Sequence, residues 1–291
     1  ISLYERVSRE LKARQDGTSV TTDTGIIGLD NIIGPLRPGQ LVVIAARPSL
    51  GKTALMLNIS AWVAQHGIGA HVISLETNRE NIAGRVIAAN GEVSISRVMS
   101  GKLGNDEQAR MISAMGRITK LPITIDDRSG LNIPQIRASI RRAAAELKRT
   151  DSSGNVTQKL GLVCLDYLQL AHAQVGRGNR EQEVSAVAYG LLELAGEFGV
   201  PIIALSQLNR AVEGRKDRRP LMSDIRESGA IEQAASIIIA LYRENEEKRG
   251  QSEESVEAIV LKSKDSSVGA TKLIFRPEWM QFTQDTNDEF E

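Results

Sequence analysis

The apolar residues of this chain fall into short runs that alternate with stretches of helical spacing. The runs with the strand pattern are LVVIAA, AHVISL, LPITID, LGLVCLD, VPIIALSQ, ASIIIALY and VEAIVLK. Short uninterrupted apolar runs are typical of strands that are buried on both faces, and helical spacing follows most of the earlier ones. The pattern therefore predicts an α/β fold of three layers with a mostly parallel sheet in the middle.

The two ends of the chain depart from this alternation. From about Ser236 onward consecutive strands come without intervening helices, which predicts an antiparallel C-terminal extension. The predicted domain covers residues 18–276, and an acidic tail over 277–291 is expected to be flexible. Residues 1–17 are predicted to form a separate helix with one narrow apolar stripe.

Composition narrows the possible partners and the compartment. The 36 Lys and Arg residues balance 36 Asp and Glu residues, so any site for a polyanion must be local. The single cysteine, Cys164, excludes an internal disulfide. No run has the length of a membrane span or the pattern of a signal peptide, so we expect a cytoplasmic protein without membrane contact.

The stretch AARPSLGKTA, residues 45–54, has most features of a phosphate-binding loop. Its pattern, G-x-x-x-x-G-K-[ST], directs backbone amides and a lysine at phosphate oxygens, but Ala46 occupies the first glycine position here. An apolar strand ends at Ala46 and an amphipathic helix is predicted from Thr53, so the loop amides lie at a helix N-terminus. The predicted nucleotide contacts are Arg47, Ser49, Leu50, Gly51, Lys52, Thr53 and Ala54. The alternative is an ordinary strand-turn-helix connection.

Three further strand ends carry polar groups suited to nucleotide hydrolysis. Glu76, Asp166 and Gln207 each follow an apolar run, and ligands of open parallel sheets bind at the carboxyl ends of the strands. Hydrolysis needs a carboxylate near Mg²⁺, another that orients water, and a polar group that responds to the γ-phosphate. Taken singly, each residue could instead be a solvated cap.

Two basic loops, AQVGRGNREQEVS and NRAVEGRKDRRPLMSDIRESGAIEQ, could contact phosphates of a nucleic acid. The alternative is that they are ordinary solvated loops. Because aromatic residues make up only 3% of the chain, contact with the backbone is expected rather than stacking on bases.

With these residues identified, the chain closely resembles the C-terminal ATPase domain of the DnaB family of replicative helicases, which has a RecA-like fold of P-loop NTPases. The matching segments are AARPSLGKTA, SLE, LDYLQL, GNREQEV, ALSQLNR and RRPLMSDIRESGAIEQ, in the family's order from about Gly25 to Arg276. An alanine in the first glycine position is usual in this family. The resemblance implies a ring of usually six subunits that threads single-stranded DNA and binds ATP at each subunit interface.

The resemblance also implies catalytic roles for individual residues. Lys52 and Thr53 would hold phosphate and Mg²⁺, with Asp166 supporting the Mg²⁺. Glu76 would polarise the attacking water, and Gln207 would link the state of the γ-phosphate to the DNA loops.

The resemblance assigns DNA contacts to Arg226, Glu227 and Gly229 in the segment DIRESG. Arg180, in the basic segment AQVGRGNREQEVS, is a further predicted DNA contact. The helix over 1–17 resembles the linker that packs on a neighbouring subunit, and its alternative is packing on its own domain.

One segment departs from the family pattern. Near the end of the sheet the family carries Lys-x-Arg, which reaches the ATP site of the next subunit, and its arginine acts as a finger. Here Lys262 keeps the first position and Lys264 takes that of the finger. Lysine supplies a point charge without the planar fork of arginine. Hydrolysis is therefore expected to be slower, unless another arginine serves.

Full members of the family carry an N-terminal domain that often meets primase, and nothing in this chain resembles it. We expect either the motor portion alone or a version without this domain, with primase and a helicase loader contacted through regions absent here. The leading hypothesis is an ATP-driven helicase motor. The alternatives are a RecA-like recombinase or regulatory ATPase, and a nucleotide-gated DNA-binding or loading factor with little turnover.

Overall fold

The structure, a computed structural model, describes residues 22–152, 154, 156–172, 180–215, 217–225, 228–244 and 250–285. Within these residues the helices are α1 (Ile27–Ile33), α2 (Lys52–Gln65), α3 (Arg79–Gly91), α4 (Ile95–Ser100), α5 (Asn105–Ile118), α6 (Ile133–Leu147), α7 (Arg180–Phe198) and α8 (Ser228–Ala234). The strands are β1 (Leu41–Ala46), β2 (Gly69–Ser74), β3 (Ile123–Asp126), β4 (Arg149–Thr150), β5 (Val156–Gln158), β6 (Leu160–Asp166), β7 (Ile202–Gln207), β8 (Ile237–Tyr242), β9 (Glu254–Ser263), β10 (Gly269–Arg276) and β11 (Gln281–Gln284). The predicted helix over 1–17 lies outside the described residues.

Nine of these strands form one sheet in the order β11-β10-β9-β8-β1-β7-β6-β2-β3. The pairs from β8 through β1, β7, β6 and β2 to β3 are all parallel. The pairs β8-β9, β9-β10 and β10-β11 are antiparallel. The predicted parallel sheet with an antiparallel C-terminal extension is therefore confirmed.

The central strands are buried on both faces, and successive side chains enter opposite cores because side chains alternate along a strand. Val42 and Ile44 of β1 pack in the core that contains α1, α2 and α3. Leu41 and Val43 pack in the second core, which contains α6, α7 and α8. This arrangement gives the three layers that the sequence predicts. Among the described residues, no helix is long and apolar enough to cross a membrane.

Helix α2 differs from its prediction in start and in character. It begins at Lys52 rather than Thr53, and nine of its 14 residues are buried, so it is not an amphipathic surface helix. The reason is that the C-terminal strands cover part of its outer side: the Asn58 amide donates to the carbonyl of Met280 at 3.2 Å and accepts from the amide of Phe282 at 2.6 Å.

The C-terminal strand β11 lies beyond the predicted domain boundary at residue 276. It pairs with β10, and the ring of Phe282 stacks on that of Phe275 with centroids 4.4 Å apart. The fold thus includes part of the segment 277–291, which the sequence predicts to be a flexible tail. A four-residue strand with one buried aromatic residue gives too short an apolar run to be recognised from its sequence. Residues 286–291 lie outside the described part.

Candidate nucleotide site

The loop between β1 and α2 is positioned by the centre of the sheet. Ala46, fully buried, ends β1 beside Gln207 of β7. Gly51, the residue before α2, has φ 80°, which favours glycine. A Cβ atom on Gly51 would also lie 2.8 Å from Phe282 and 2.9 Å from Phe275. The loop therefore tolerates alanine in place of its first glycine but requires glycine at position 51.

A cleft of about 530 Å³ opens beside this loop. Its lining combines the loop, the ends of β2 and β7, helix α3 and the turn between β10 and β11: Pro48, Ser49, Gly51, Lys52, Thr53, Ala54, Glu76, Thr77, Arg85, Tyr167, Gln207, Phe275, Pro277 and Met280. The structure thus brings the predicted residues Lys52, Thr53, Glu76 and Gln207 to one cavity.

Asp166 contacts the cleft through Thr53, whose hydroxyl donates to Oδ2 at 2.8 Å. The carboxyl group is buried, and Oδ1 has no hydrogen-bond partner among the described residues. Burial raises the pKa of Asp166, while the Thr53 hydrogen bond and the charge of Lys52 oppose the rise. A hydroxyl and one carboxylate with a vacant oxygen fit Mg²⁺, which keeps several water ligands and needs few protein groups. The described residues contain no group of three or more His, Cys, Asp or Glu that could hold a metal ion.

The Lys52 side chain is available to a ligand. Its Nζ lies 4.4 Å from the ring centroid of Tyr167, and it makes no hydrogen bond or ion pair with the described residues. Burial lowers the pKa of Lys52, whereas the charges of Asp166 and Glu76 raise it. This ammonium group has three hydrogen-bond donors in a half-buried cleft, so it can bind an anionic ligand without first breaking contacts to the protein.

Two of the predicted loop residues, Arg47 and Leu50, have side chains outside the cleft that contains Lys52. Arg47 donates from Nη1 to the carbonyl of Leu208 at 2.9 Å, and Leu50 is buried in the core. Their side chains line a neighbouring cleft of about 440 Å³ on the other side of the loop. The structure does not bring these two side chains into the cleft with Lys52.

Lys262 and Lys264 lie far from the cleft within one chain. Lys262 of β9 pairs with Ile238 near the start of β8, at the opposite end of the parallel strands from the loop. Its ammonium donates to the backbone carbonyls of Glu232, in α8, and of Ala235, the latter at 2.9 Å. Lys264 is exposed next to it. The two lysines cannot meet the phosphates bound by their own chain.

Of the predicted DNA contacts, Arg226 and Glu227 lie outside the described residues, as does the loop 173–179. Gly229 lies exposed in α8. Arg180 begins α7 and donates to the Glu183 carboxylate and to the backbone carbonyl of Gln169. Gln169 belongs to the 3₁₀ turn Leu168–Leu170, which follows Asp166 after one residue.

Sequence reasoning missed seven residues of the cleft, of which Pro48 and Thr77 directly adjoin predicted residues. Phe275 lies in β10, and Pro277 and Met280 lie in the turn after it. These three residues are too distant along the chain from the phosphate loop to be linked to it from the sequence. Tyr167 follows Asp166 directly but carries no recognisable pattern. Arg85 could have been found, since it interrupts the apolar face of helix α3.

Comparison with known proteins matches this chain to replicative DNA helicases and to a family of their C-terminal domains. A profile of the family described as DnaB-like helicase C terminal domain matches residues 21–284. The replicative DNA helicase DnaB of Geobacillus stearothermophilus is 37% identical over 286 residues, which cover 97% of this chain and 60% of that protein. The replicative DNA helicase DnaC of Bacillus subtilis (strain 168) is also 37% identical over 286 residues, with the same coverage. The chain thus spans about 60% of the length of these curated relatives.

Two solved structures share the fold. One, described as an ATPase domain, matches with a TM-score of 0.86 at 29% identity and covers 98% of this chain and 99% of that one. The other, described as a DnaB-like replicative helicase and its interactions with primase, matches with a TM-score of 0.83 at 30% identity and covers 97% of this chain and 67% of that one.

Proposed function

Because the chain belongs to the family of DnaB-like helicase C-terminal domains, whose ATPase domains bind nucleotides, we propose that it is the motor of a replicative DNA helicase. It binds ATP with Mg²⁺, assembles with copies of itself into a ring, usually of six subunits, and moves along single-stranded DNA as ATP is hydrolysed. The observation that carries this proposal is the bond from Thr53 to Asp166 at the floor of a cleft lined by Lys52, Glu76 and Gln207.

The phosphates are bound by the loop amides at the N-terminus of α2 and by Lys52. Thr53 and Asp166 hold the Mg²⁺ ion, which supplies charge neutralisation of the phosphates when bound. The vacant Oδ1 of Asp166 supports this assignment, because a buried carboxylate oxygen without a donor is costly unless a cation accompanies it.

Glu76 orients the water that attacks the γ-phosphorus and accepts its proton as the bond from phosphorus to the bridging oxygen breaks. The carboxylate is exposed in the cleft two residues after β2, so a water molecule can reach it. Its role is separate from that of Asp166, which is buried and already bonded to Thr53.

Gln207 links the nucleotide to the DNA loop. The next residue, Leu208, donates its amide to the carbonyl of Ala46 at 3.1 Å and forms a β-bridge with Ile225, which directly precedes the predicted DNA contact Arg226. A shift of the β7 end with the state of the γ-phosphate would therefore reach the segment that we propose touches DNA.

Hydrolysis requires a neighbouring subunit, because Lys262 and Lys264 lie at the far end of the sheet from their own cleft. We propose that they act on the nucleotide of the adjacent copy. A primase is a further proposed partner, since one solved relative is described with its primase interactions. The helicase loader stays a prediction from the sequence.

The test is ATP hydrolysis per subunit over a range of protein concentration, with and without single-stranded DNA, followed by displacement of a labelled strand from a forked duplex. We expect specific activity to rise with concentration and with DNA, and strand displacement to require ATP. Glu76→Gln should bind nucleotide and lose both activities. Turnover that is independent of concentration in the parent protein would contradict a shared active site.

The lysine at position 264 favours one second candidate, a nucleotide-gated DNA-binding or loading factor with little turnover. Such a factor would bind ATP and DNA together but show almost no hydrolysis at any concentration. A RecA-like recombinase or regulatory ATPase would hydrolyse ATP without displacing the strand. The same two measurements therefore separate all three functions.

A further inference from the structure

Arg85 occupies an unusual place on helix α3. Ile82 and Ala89 lie three residues before it and four after it, and both are buried on the inner face of the helix. Residues with this spacing share one helix face, so Arg85 projects inward with them rather than toward solvent. An arginine on an apolar face packs its aliphatic stem there and extends its guanidinium to the nearest polar space. For Arg85 that space is the nucleotide cleft, which it lines.

The guanidinium has no protein partner that explains its position. Arg85 makes no hydrogen bond or ion pair with any residue that the structure describes. By contrast, Arg79 at the start of the same helix donates from two guanidinium nitrogens to the Asp127 carboxylate. Five donors in a partly buried site without an acceptor are unfavourable unless a ligand or water supplies one.

The charges around Arg85 indicate which part of a ligand it faces. Its charge acts on the carboxyl of Asp166, as do those of Lys52 and Glu76, and it opposes the rise in the pKa of Asp166. Arg85 thus belongs to the group of residues around Lys52 and Thr53, where phosphates are bound. The apolar part of the cleft is formed by other residues, Phe275, Pro277 and Met280.

We propose that Arg85 binds the terminal phosphates of the nucleotide from within the same subunit and distinguishes the triphosphate from the diphosphate. The inference rests on the proposed function and adds a phosphate contact to it. It also gives the site a planar fork in cis, whereas the position expected to act from the neighbour holds Lys264, a point charge.

The test compares binding of fluorescent methylanthraniloyl ADP with that of the matching β,γ-imido triphosphate, both with Mg²⁺. Arg85→Met keeps the apolar stem and removes the fork. We expect it to weaken triphosphate binding about 10- to 100-fold, the size of a charge-assisted contact, and diphosphate binding less than about threefold. The triphosphate affinity of Arg85→Lys should lie between those of the parent protein and Arg85→Met. The matched control is Arg141→Ala on α6, across the sheet from the cleft, which should bind both nucleotides as the parent does.

Equal weakening for both nucleotides, or no weakening, overturns the inference. If Arg85→Met melts well below the parent protein, the Arg85→Lys variant is used instead. A change in its ratio of triphosphate to diphosphate affinity supports the inference, and an unchanged ratio overturns it. Failure of the proposed function has a different result, because the parent protein itself would then bind neither nucleotide.

Discussion

Lys52 and Lys262 both have a lowered pKa, but their ammonium groups differ in their partners. Burial lowers the pKa of both ammonium groups. The Lys52 ammonium faces the Tyr167 ring and has no acceptor among the described residues. The Lys262 ammonium already donates to two backbone carbonyls, at Glu232 and Ala235. A lowered lysine pKa therefore does not by itself identify a binding group, whereas unused donors do.

Lys52 and Lys262 also differ in their positions in the fold. The two lysines lie at opposite ends of the parallel strands, and Lys262 joins β9 to the last carbonyls around helix α8. Cations are favourable at such helix C-termini. In a single chain Lys262 is thus a structural contact, and its effect on hydrolysis would come from the neighbouring copy.

The largest expected effect is that of Lys52→Met on turnover. Losing a phosphate-binding cation in the cleft should lower ATP turnover by about 100-fold or more, because the charge that develops on the phosphates is left without its nearest donor. Thermal unfolding should show no loss of stability, since the ammonium makes no hydrogen bond or ion pair with the described residues. A lower melting temperature of Lys52→Met would contradict the statement that Lys52, unlike Lys262, makes no stabilising contact within the chain.

Lys264→Ala should lower turnover by about tenfold or more while nucleotide binding persists, because the cation acts on the bound phosphates of an adjacent subunit. Lys264→Arg should raise turnover above that of the parent, since it restores a planar fork. Unaltered turnover in Lys264→Ala would remove this residue from the mechanism.

Mixing the two variants tests whether the cleft and the lysine belong to different subunits. Lys264→Ala chains supply an intact cleft and Lys52→Met chains supply an intact Lys264, so mixed assemblies contain some complete sites. We expect turnover in the mixture to exceed the sum of the two variants measured alone. If subunit exchange is verified and turnover still does not recover, both residues act within one chain.

Lys262→Met should cost about 1 kcal/mol of the free energy of unfolding, because two backbone carbonyls lose a charged donor at a partly exposed site. Urea denaturation measures this effect, and Lys52→Met is the matched control with no expected loss. Equal stability of the two variants would indicate that the Lys262 contacts contribute nothing.

The smallest expected effect is a proton exchange on nucleotide binding. A phosphate ligand raises the lowered pKa of Lys52, so binding should take up protons, and the uptake should grow as pH rises toward that lowered pKa. Calorimetry in buffers of different ionisation enthalpy measures the uptake. It should vanish in Lys52→Met and remain in Lys262→Met, whose parent ammonium is already bonded to carbonyls.

The sequence predicts the parallel sheet, the loop and the strand-end residues, because apolar runs and the residues that follow them are local signals. Glu76 and Gln207 do line one cleft with Lys52. The rest depends on contacts between distant segments. Burial of α2 follows from the C-terminal strands that cover it, and Arg47 faces away from the cleft because it bonds to Leu208. Neither contact leaves a pattern along the chain.

Gly51 packs against Phe275 of β10 and Phe282 of β11, so the loop after β1 is supported by the last two strands of the described residues. During synthesis from the N-terminus, the loop and α2 leave the ribosome long before Phe282 is made. The phosphate loop therefore emerges well before the strand on which it packs. A nascent chain that contains β1, α2 and β6 but ends before Phe275 lacks the aromatic pair beneath Gly51, and full nucleotide affinity arises only after Phe282 has been made.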